Sequence, residues 1–247
     1  MCLGAGRLEA FSRAAGMLVC DSSYQTRLMK VVLFGATGMV GQAVLRECLL
    51  DPDVERVLSV GRRKSDSGHE KLRQFALPDV SDLSSLESEL DGLDACMFCL
   101  GISSAGMSEE AYTRITFDLT LAVAGTLARL NPGMTFVYVS GLGADSSENG
   151  RFMWARVRGR TENALQLLPF KAAYSVRPGV ITPLHGITSR TKWTRLGYGL
   201  TRPLHSFLRT VFPNQVTTTE RLGRAMLKLA RSGYTKPILE MKDIESV

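Results

Sequence analysis

A glycine-rich turn between a short apolar run and a helical pattern constrains the fold of this chain more than any other feature. The run at residues 31–34 is apolar and β-branched, as in a strand buried on both faces. It leads into Gly35-Ala36-Thr37-Gly38-Met39-Val40-Gly41, whose three glycines are three residues apart. A helical pattern then runs from residue 39 to residue 50. Strand, glycine turn and helix in this order are typical of a dinucleotide-binding site.

Each part of this turn has a physical task toward a dinucleotide. The first glycine permits the tight turn, the second lets the backbone approach a pyrophosphate, and the third lets the helix pack on the strand. The helix N-terminus then presents free N–H groups to the phosphates. The residues predicted to bind the cofactor here are Gly35, Thr37, Gly38, Met39, Val40 and Gly41.

Beyond the turn, strand-like and helix-like segments alternate, which indicates an α/β fold with a doubly wound parallel sheet. Further strands are predicted at 57–60, 74–77, 95–100, 135–139, 172–176 and 238–241. Helices are predicted at 108–130, 152–167 and 217–229, the last beginning with a capping box. We expect residues 1–28 to be an N-terminal extension outside the core. Residues 29–247 are expected to form one domain, with a small substrate or lid region at about 180–216.

Length and cysteine content set broad limits on the class of protein. A chain of 247 residues suits one large α/β domain. No run of about 18 uncharged apolar residues is present, so no transmembrane helix is expected. The five cysteines are odd in number and show no secreted framework, which favours a reducing compartment. Because Glu9 and Asp21 argue against a mitochondrial signal, a cytoplasmic protein is expected.

The positive charge is concentrated in the second half of the chain. The net charge is +6, and residues 151–212 carry eleven Lys and Arg against one acid. Such a surface suits an anionic cofactor or substrate, a membrane or simply solvent. Nucleic acid is not expected, because no aromatic-rich binding motif accompanies the charge. An amphipathic stripe at 192–212, broken by Pro203, is interpreted as a lid and a surface for a protein partner or homodimer. A core cap and a membrane contact are its alternatives.

The end of the second strand indicates which dinucleotide is preferred. An acid there would bind the ribose hydroxyls of NAD(H), whereas arginine suits the 2′-phosphate of NADP(H). The segment contains Arg62 and Arg63 and no acid, so NADP(H) is expected over NAD(H); the alternative is a solvated basic loop. Asp79 and Val80 follow the third strand and are predicted to contact adenine. Leu100 and Gly101 end the fourth strand, at the edge where such sheets bind ligands.

Four segments together resemble the short-chain dehydrogenase/reductase superfamily, in its atypical epimerase- or reductase-like branch. They are the glycine turn, Cys99-Leu100-Gly101, Val139-Ser140-Gly141-Leu142-Gly143-Ala144-Asp145 and Tyr174-Ser175-Val176-Arg177-Pro178-Gly179. The resemblance implies a Rossmann-type fold, a Ser that orients the substrate and a Tyr four residues before a Lys. Ser140 matches the first role. Trp154 stands where the Tyr is expected, and Arg158 where the Lys is expected.

These two departures leave two interpretations of function. Arg158 could hold the nicotinamide ribose as a permanent cation, but the indole of Trp154 has no acid–base chemistry near neutral pH. The first interpretation is an oxidoreductase that reduces a carbonyl-type small molecule with atypical catalytic residues, namely Ser140, Trp154 and Arg158. The alternative is a non-catalytic cofactor-sensing regulatory or interaction protein. Neither interpretation requires a metal ion or identifies the substrate.

Overall fold

A computed structural model of the chain describes residues 28–187 and 216–247. Its strands are β1 (Met29–Phe34), β2 (Val54–Gly61), β3 (Leu72–Ala76), β4 (Ala95–Phe98), β5 (Thr135–Val139), β6 (Ala172–Val176), β7 (Val180–Thr182), β8 (Val216–Thr218) and β9 (Ile238–Leu239). Its α-helices are α1 (Met39–Leu50), α2 (Glu87–Leu90), α3 (Glu109–Thr113), α4 (Leu119–Leu130), α5 (Met153–Gln166), α6 (Thr219–Ser232) and α7 (Met241–Ser246). The stripe predicted at 192–212 and residues 1–27 lie outside the described residues.

Seven strands form one wholly parallel sheet in the order β3-β2-β1-β4-β5-β6-β9. The chain builds outward from β1 to β3, returns to the middle, and builds the other way from β4. The prediction of a doubly wound parallel sheet is therefore confirmed. Sheets of this kind bind ligands where the order reverses, outside the carboxyl ends of the strands. Here that point lies between β1 and β4.

Strand β1 is buried on both faces, which explains its continuous apolar run. Its side chains alternate between two cores because successive residues of a strand point to opposite faces. Val31 and Leu33 belong to the core that contains α1 and α6. Val32 and Phe34 belong to the opposite core, which contains α4. Both cores thus converge on the strand that leads into the glycine turn.

Helix α6 packs against α1, although the two helices lie near opposite ends of the described chain. Val44 of α1 and Met226 of α6 share one apolar core. At the end of this contact, Arg231 Nη2 donates to both carboxylate oxygens of Asp51 at 2.8 Å. The C-terminal part of the chain therefore covers the helix that follows the glycine turn.

Several boundaries differ from those predicted, each for a local reason. The helix predicted at 108–130 contains a π-helical turn, Arg114–Asp118, between α3 and α4. Strand β4 ends at Phe98, so Leu100 and Gly101 lie in the loop after it. The predicted strand at 238–241 is cut short by α7, because Glu240 and Asp243 form a capping box that starts a helix. The helix predicted to begin with a capping box at Thr217 and Glu220 begins one residue later: Thr217 belongs to β8, and the N-cap is Thr218, whose hydroxyl accepts from Arg221 N at 3.1 Å.

A second sheet consists of β7 and β8, which pair in parallel. Thr182 pairs with Thr218 there, so the strand before residue 183 and the strand that begins at residue 216 lie side by side. Part of the lid region expected at about 180–216 is thus seen as strand.

Candidate functional site

The glycine turn is closed so tightly that two of its positions admit no side chain. Gly35 has φ of 85°, and a Cβ there would lie 2.7 Å from the carbonyl oxygen of Cys99. A Cβ on Gly41 would lie 2.0 Å from the carbonyl oxygen of Gly35. Gly35 therefore lets the turn pack against the loop after β4, and Gly41 lets α1 pack against the turn.

The N-terminus of α1 fits the pyrophosphate of a dinucleotide. Gly38 caps the helix without a side-chain hydrogen bond, and the first turn contains no acid. Gln42 N is the first amide to bond within the helix, to Gly38 O at 2.8 Å, so the N–H groups of Met39, Val40 and Gly41 have no helical acceptor. A Cβ on Gly38 would meet only the carbonyl oxygen of Gly35, at 3.4 Å, so no described atom crowds this position. Thr37, beside them, is half-buried.

The residues predicted for the adenosine end follow β2 and β3. Arg62 and Arg63 are exposed, and neither has a hydrogen bond or ion pair with any residue in 28–187 or 216–247. Asp79 is exposed, and its Oδ1 accepts from the amide and hydroxyl of Ser81 at 2.9 and 2.6 Å, which lowers its pKa. Val80 is buried in the core beside the sheet. Two free guanidinium groups therefore stand at the carboxyl end of β2.

A cavity of about 400 Å³ lies at the other end of the site, beyond the carboxyl ends of β4, β5 and β6. It is lined by Ile102, Ser103, Ser104, Tyr112, Gly141, Leu142, Trp154, Arg158, Pro178, Gly179 and Val180. Helix α5 supplies Trp154 and Arg158, which are four residues apart and hence on one helical face. The register inferred from the sequence thus brings both residues to one cavity.

The guanidinium of Arg158 lies over the loops that follow β4 and β5. A Cβ on Gly141 would lie 3.6 Å from Nη1, and one on Gly101 would lie 3.9 Å from Nη2. Its Nε donates to the phenolic oxygen of Tyr112 at 3.0 Å. Leu100, next to Gly101, is half-buried and packs on the sheet core. Arg158 is therefore held over the sheet edge at which Rossmann-type domains bind the nicotinamide end of the cofactor.

Ser140 lies behind the cavity wall rather than on it. Its amide bonds to Val176 O at 2.8 Å, and the side chain is buried. Its hydroxyl has no hydrogen-bond partner among the described residues. A buried hydroxyl without a hydrogen-bond partner is uncommon, which indicates that a ligand or a water molecule hydrogen-bonds to the hydroxyl of Ser140. Gly141, the next residue, does line the cavity.

A buried ion pair fixes the helix that carries Trp154 and Arg158. Arg177 follows β6, and its Nε and Nη2 bond to the carboxylate of Glu162 on α5 at 3.0 and 2.5 Å. Its Nη1 donates to Glu240 at 2.8 Å, and its Nη2 also donates to Ser146 Oγ at 2.6 Å. Burial acts to lower the pKa of Arg177, but the bonds to Glu162 and Glu240 outweigh it and raise that pKa. The network therefore ties α5 to β6 and to the start of α7.

Tyr112 is a cavity residue for which the sequence predicts no role. It lies on α3, within a stretch whose sequence signal was only a helix start at Ser108. Of the cysteines that the structure describes, Cys96 and Cys99 are free thiols whose pKa values are raised by burial, so neither offers a competing nucleophile. Within residues 28–187 and 216–247, no group of three or more metal-ligating side chains is found.

The chain is similar to known proteins. The model of the NAD dependent epimerase/dehydratase family matches residues 31–148, a range that includes the glycine turn and Ser140. Protein fmp52, mitochondrial, of Emericella nidulans is 31% identical over 161 residues. That alignment covers 62% of this chain and 67% of the relative.

Solved structures at low sequence identity share the fold. An oxidoreductase of the short chain dehydrogenase/reductase family from Burkholderia thailandensis superposes with a TM-score of 0.63 at 15% identity, covering 88% of this chain and 93% of that one. The Bordetella bronchiseptica enzyme WbmF, solved in complex with NAD+, gives a TM-score of 0.63 at 15% identity. It covers 90% of this chain and 77% of that one.

These relatives contradict the expectation of a cytoplasmic protein, because the fmp52 proteins are named mitochondrial. Unpaired cysteines indicate a reducing environment but do not distinguish one reducing compartment from another, so the prediction had too little physical basis. Among the described residues, no helix has the length and apolarity needed to cross a bilayer. The glycine turn and the parallel sheet give the chain the fold of short chain dehydrogenases/reductases. By its similarity to fmp52, the chain belongs to the family of the fmp52 proteins.

Proposed function

We propose that this protein is an NADP(H)-preferring oxidoreductase that reduces the carbonyl group of a small molecule. The observation that carries the proposal is the cavity beneath Trp154 and Arg158, at the same sheet edge as the glycine turn. A bound nicotinamide dinucleotide would supply the hydride, which is the cofactor's own chemistry. The chain would supply binding through the turn and α1, and a cation over the sheet edge through Arg158.

The lining of the cavity suggests a substrate with an apolar body. Ile102, Leu142 and Val180 are partly exposed where they line it, although large apolar side chains favour burial. Trp154 adds an aromatic surface, stacked on Phe152 with ring centroids 6.5 Å apart. No acid lines the cavity among the described residues, so neutral or anionic carbonyl compounds fit it better than cations. Aromatic aldehydes and quinones should therefore be reduced faster than small polar aldehydes.

Removing the two free arginines should abolish the preference for NADPH over NADH. Both guanidinium groups are exposed and unpaired with described residues, so they are available to the 2′-phosphate. Changing Arg62 and Arg63 to Ala is expected to cost NADPH about 2–4 kcal/mol of binding free energy and to leave NADH nearly unaffected. Cofactor fluorescence titrations would measure both dissociation constants.

The matched control for these arginines is Lys64→Ala, which removes a neighbouring charge from the same loop. It should shift the NADPH to NADH ratio far less than the double change does. Equal affinity of the unchanged protein for both dinucleotides would show that the NADP(H) part of the proposal is wrong.

One observation favours a second function, a non-catalytic cofactor sensor. Trp154 lines the cavity at the position where the superfamily has the Tyr that transfers the proton, and an indole cannot act as that acid. A sensor would bind the dinucleotide with the same residues but would not consume it. NADPH oxidation with aldehydes and quinones separates the two functions: tight NADPH binding without turnover across such a panel would favour the sensor.

A further inference from the structure

We propose that Tyr112 is the proton donor of this site and fills the role that Trp154 cannot perform. This inference rests on the proposed reductase function and deepens it by naming the acid. Tyr112 lies on α3, on a different element from the helix that carries the usual acid of the superfamily. Its ring is buried, yet it is part of the cavity lining.

The hydrogen bond between Arg158 and Tyr112 leaves the phenolic proton free. Arg158 Nε donates to Tyr112 Oη at 3.0 Å, and a guanidinium has no lone pair with which to accept in return. The bond therefore uses a lone pair of the phenolic oxygen and leaves its proton unused. No described residue accepts from Tyr112 Oη, so its proton is available to a molecule in the cavity.

Among the cavity-lining residues that the structure describes, no other side chain can take this role. The groups that commonly act as general acids are His, Asp, Glu, Lys, Tyr and Cys. Of these types, Tyr112 alone lines the cavity within residues 28–187 and 216–247. The remaining polar side-chain groups of the described lining are the hydroxyls of Ser103 and Ser104, the indole N–H of Trp154 and the guanidinium of Arg158. An arginine is effectively never deprotonated in proteins, so it cannot act as the acid.

The reaction balances with these groups. The carbonyl carbon accepts hydride from the reduced dinucleotide, and the carbonyl oxygen accepts the proton of Tyr112 Oη, which yields an alcohol. The C=O π bond, the Tyr112 O–H bond and the C–H bond of the reduced dinucleotide that supplies the hydride would break, while one C–H and one O–H bond would form in the alcohol and the dinucleotide would be left oxidised. Arg158 Nε keeps its hydrogen bond to the phenolic oxygen after the proton has left. Water entering the open cavity then returns a proton to Tyr112.

Tyr112→Phe tests the inference with the full-length protein. The change keeps the buried ring and removes only the hydroxyl. We expect kcat for an aldehyde such as benzaldehyde to fall about 100-fold or more, as for loss of a general acid. The dissociation constant of NADPH, measured by fluorescence in the absence of aldehyde, should stay within about threefold. Tyr138→Phe is the matched control, because Tyr138 is equally buried but does not line the cavity.

A second variant separates proton donation from a structural role. Tyr112→His can accept from Arg158 through one ring nitrogen and donate through the other, so it should recover part of the turnover that Phe loses. Melting temperatures of Tyr112→Phe and Tyr138→Phe should be similar. If Tyr112→Phe melts at a much lower temperature than Tyr138→Phe, the test is instead the comparison of Tyr112→His with the unchanged protein. Partial turnover by Tyr112→His with unchanged NADPH affinity then supports the inference.

Three results would overturn the inference. Turnover by Tyr112→Phe within threefold of the unchanged protein would show that another group donates the proton. If Tyr112→Phe loses as much NADPH affinity as kcat/KM, and Tyr112→His restores neither, then Tyr112 is a positioning residue for Arg158. Absence of turnover by the unchanged protein, with NADPH still bound, would instead remove the reductase function and this inference with it.

Discussion

Glu162→Met is expected to lower the free energy of unfolding by about 3–5 kcal/mol, because it leaves a buried guanidinium without its main counter-charge. Arg177 bonds to Glu162 through two nitrogens, and Glu162 is fully shielded from solvent. Methionine has a similar volume but accepts no comparable hydrogen bond. Urea denaturation followed by circular dichroism would measure the change. Because α5 also carries Trp154 and Arg158, NADPH binding should weaken as the helix loosens.

Glu240→Gln is the matched control for this change, since Glu240 bonds to the same arginine from a position that is 41% exposed. Exposed ion pairs contribute about 1 kcal/mol or less, so this variant should be close to the unchanged protein. Equal stability losses in the two variants would contradict the assignment of Glu162 as the principal partner of Arg177.

Gly38→Ala should separate cofactor binding from folding. The added methyl group meets nothing closer than 3.4 Å in the protein, so the stability should change little. The substitution would, however, add a methyl group at the N-cap, next to the N–H groups of Met39 and Val40, where we expect the pyrophosphate to bind. Loss of one or more bonds to a charged phosphate would reduce NADPH affinity by about 10- to 150-fold, or about 1.5–3 kcal/mol.

Gly41→Ala is the contrasting change at the third glycine. Its Cβ would lie 2.0 Å from Gly35 O, so the turn and α1 must separate. We expect this variant to lose both NADPH affinity and thermal stability, whereas Gly38→Ala loses affinity alone. Thermal melting without ligand, followed by NADPH titration, would measure both effects. Unaltered NADPH affinity in Gly38→Ala would place the phosphates elsewhere.

Local sequence signals predicted the first half of the fold well. The apolar run of β1, the glycines and the helical pattern of α1 act within about 20 residues of one another, and the structure reproduces α1 with the predicted bounds. The parallel order of the strands follows from their alternation with helices. Arg62 and Arg63 could be placed because they directly follow a predicted strand.

Other features depend on contacts that are distant in sequence. Tyr112 meets Arg158 across 46 residues, and no spacing rule links a residue on α3 to one on α5. The buried position of Ser140 depends on neighbouring strands, so the sequence predicted its place after β5 but not its missing hydrogen-bond partner. The π-helical turn before α4 could not be predicted either, because its residues fit an ordinary α-helical pattern.

The packing of α6 on α1 has a consequence for how the chain acquires its fold. Arg231 and Asp51 are 180 residues apart, and the apolar contact between the two helices has a similar separation. Contacts of such high contact order form late and slow the folding rate. During synthesis, the outer face of α1 has no cover until α6 has left the ribosome. The part of the chain that contains the glycine turn therefore cannot complete its folding before α6 has been made, and a shorter nascent chain would expose an apolar helix face to aggregation or to chaperones.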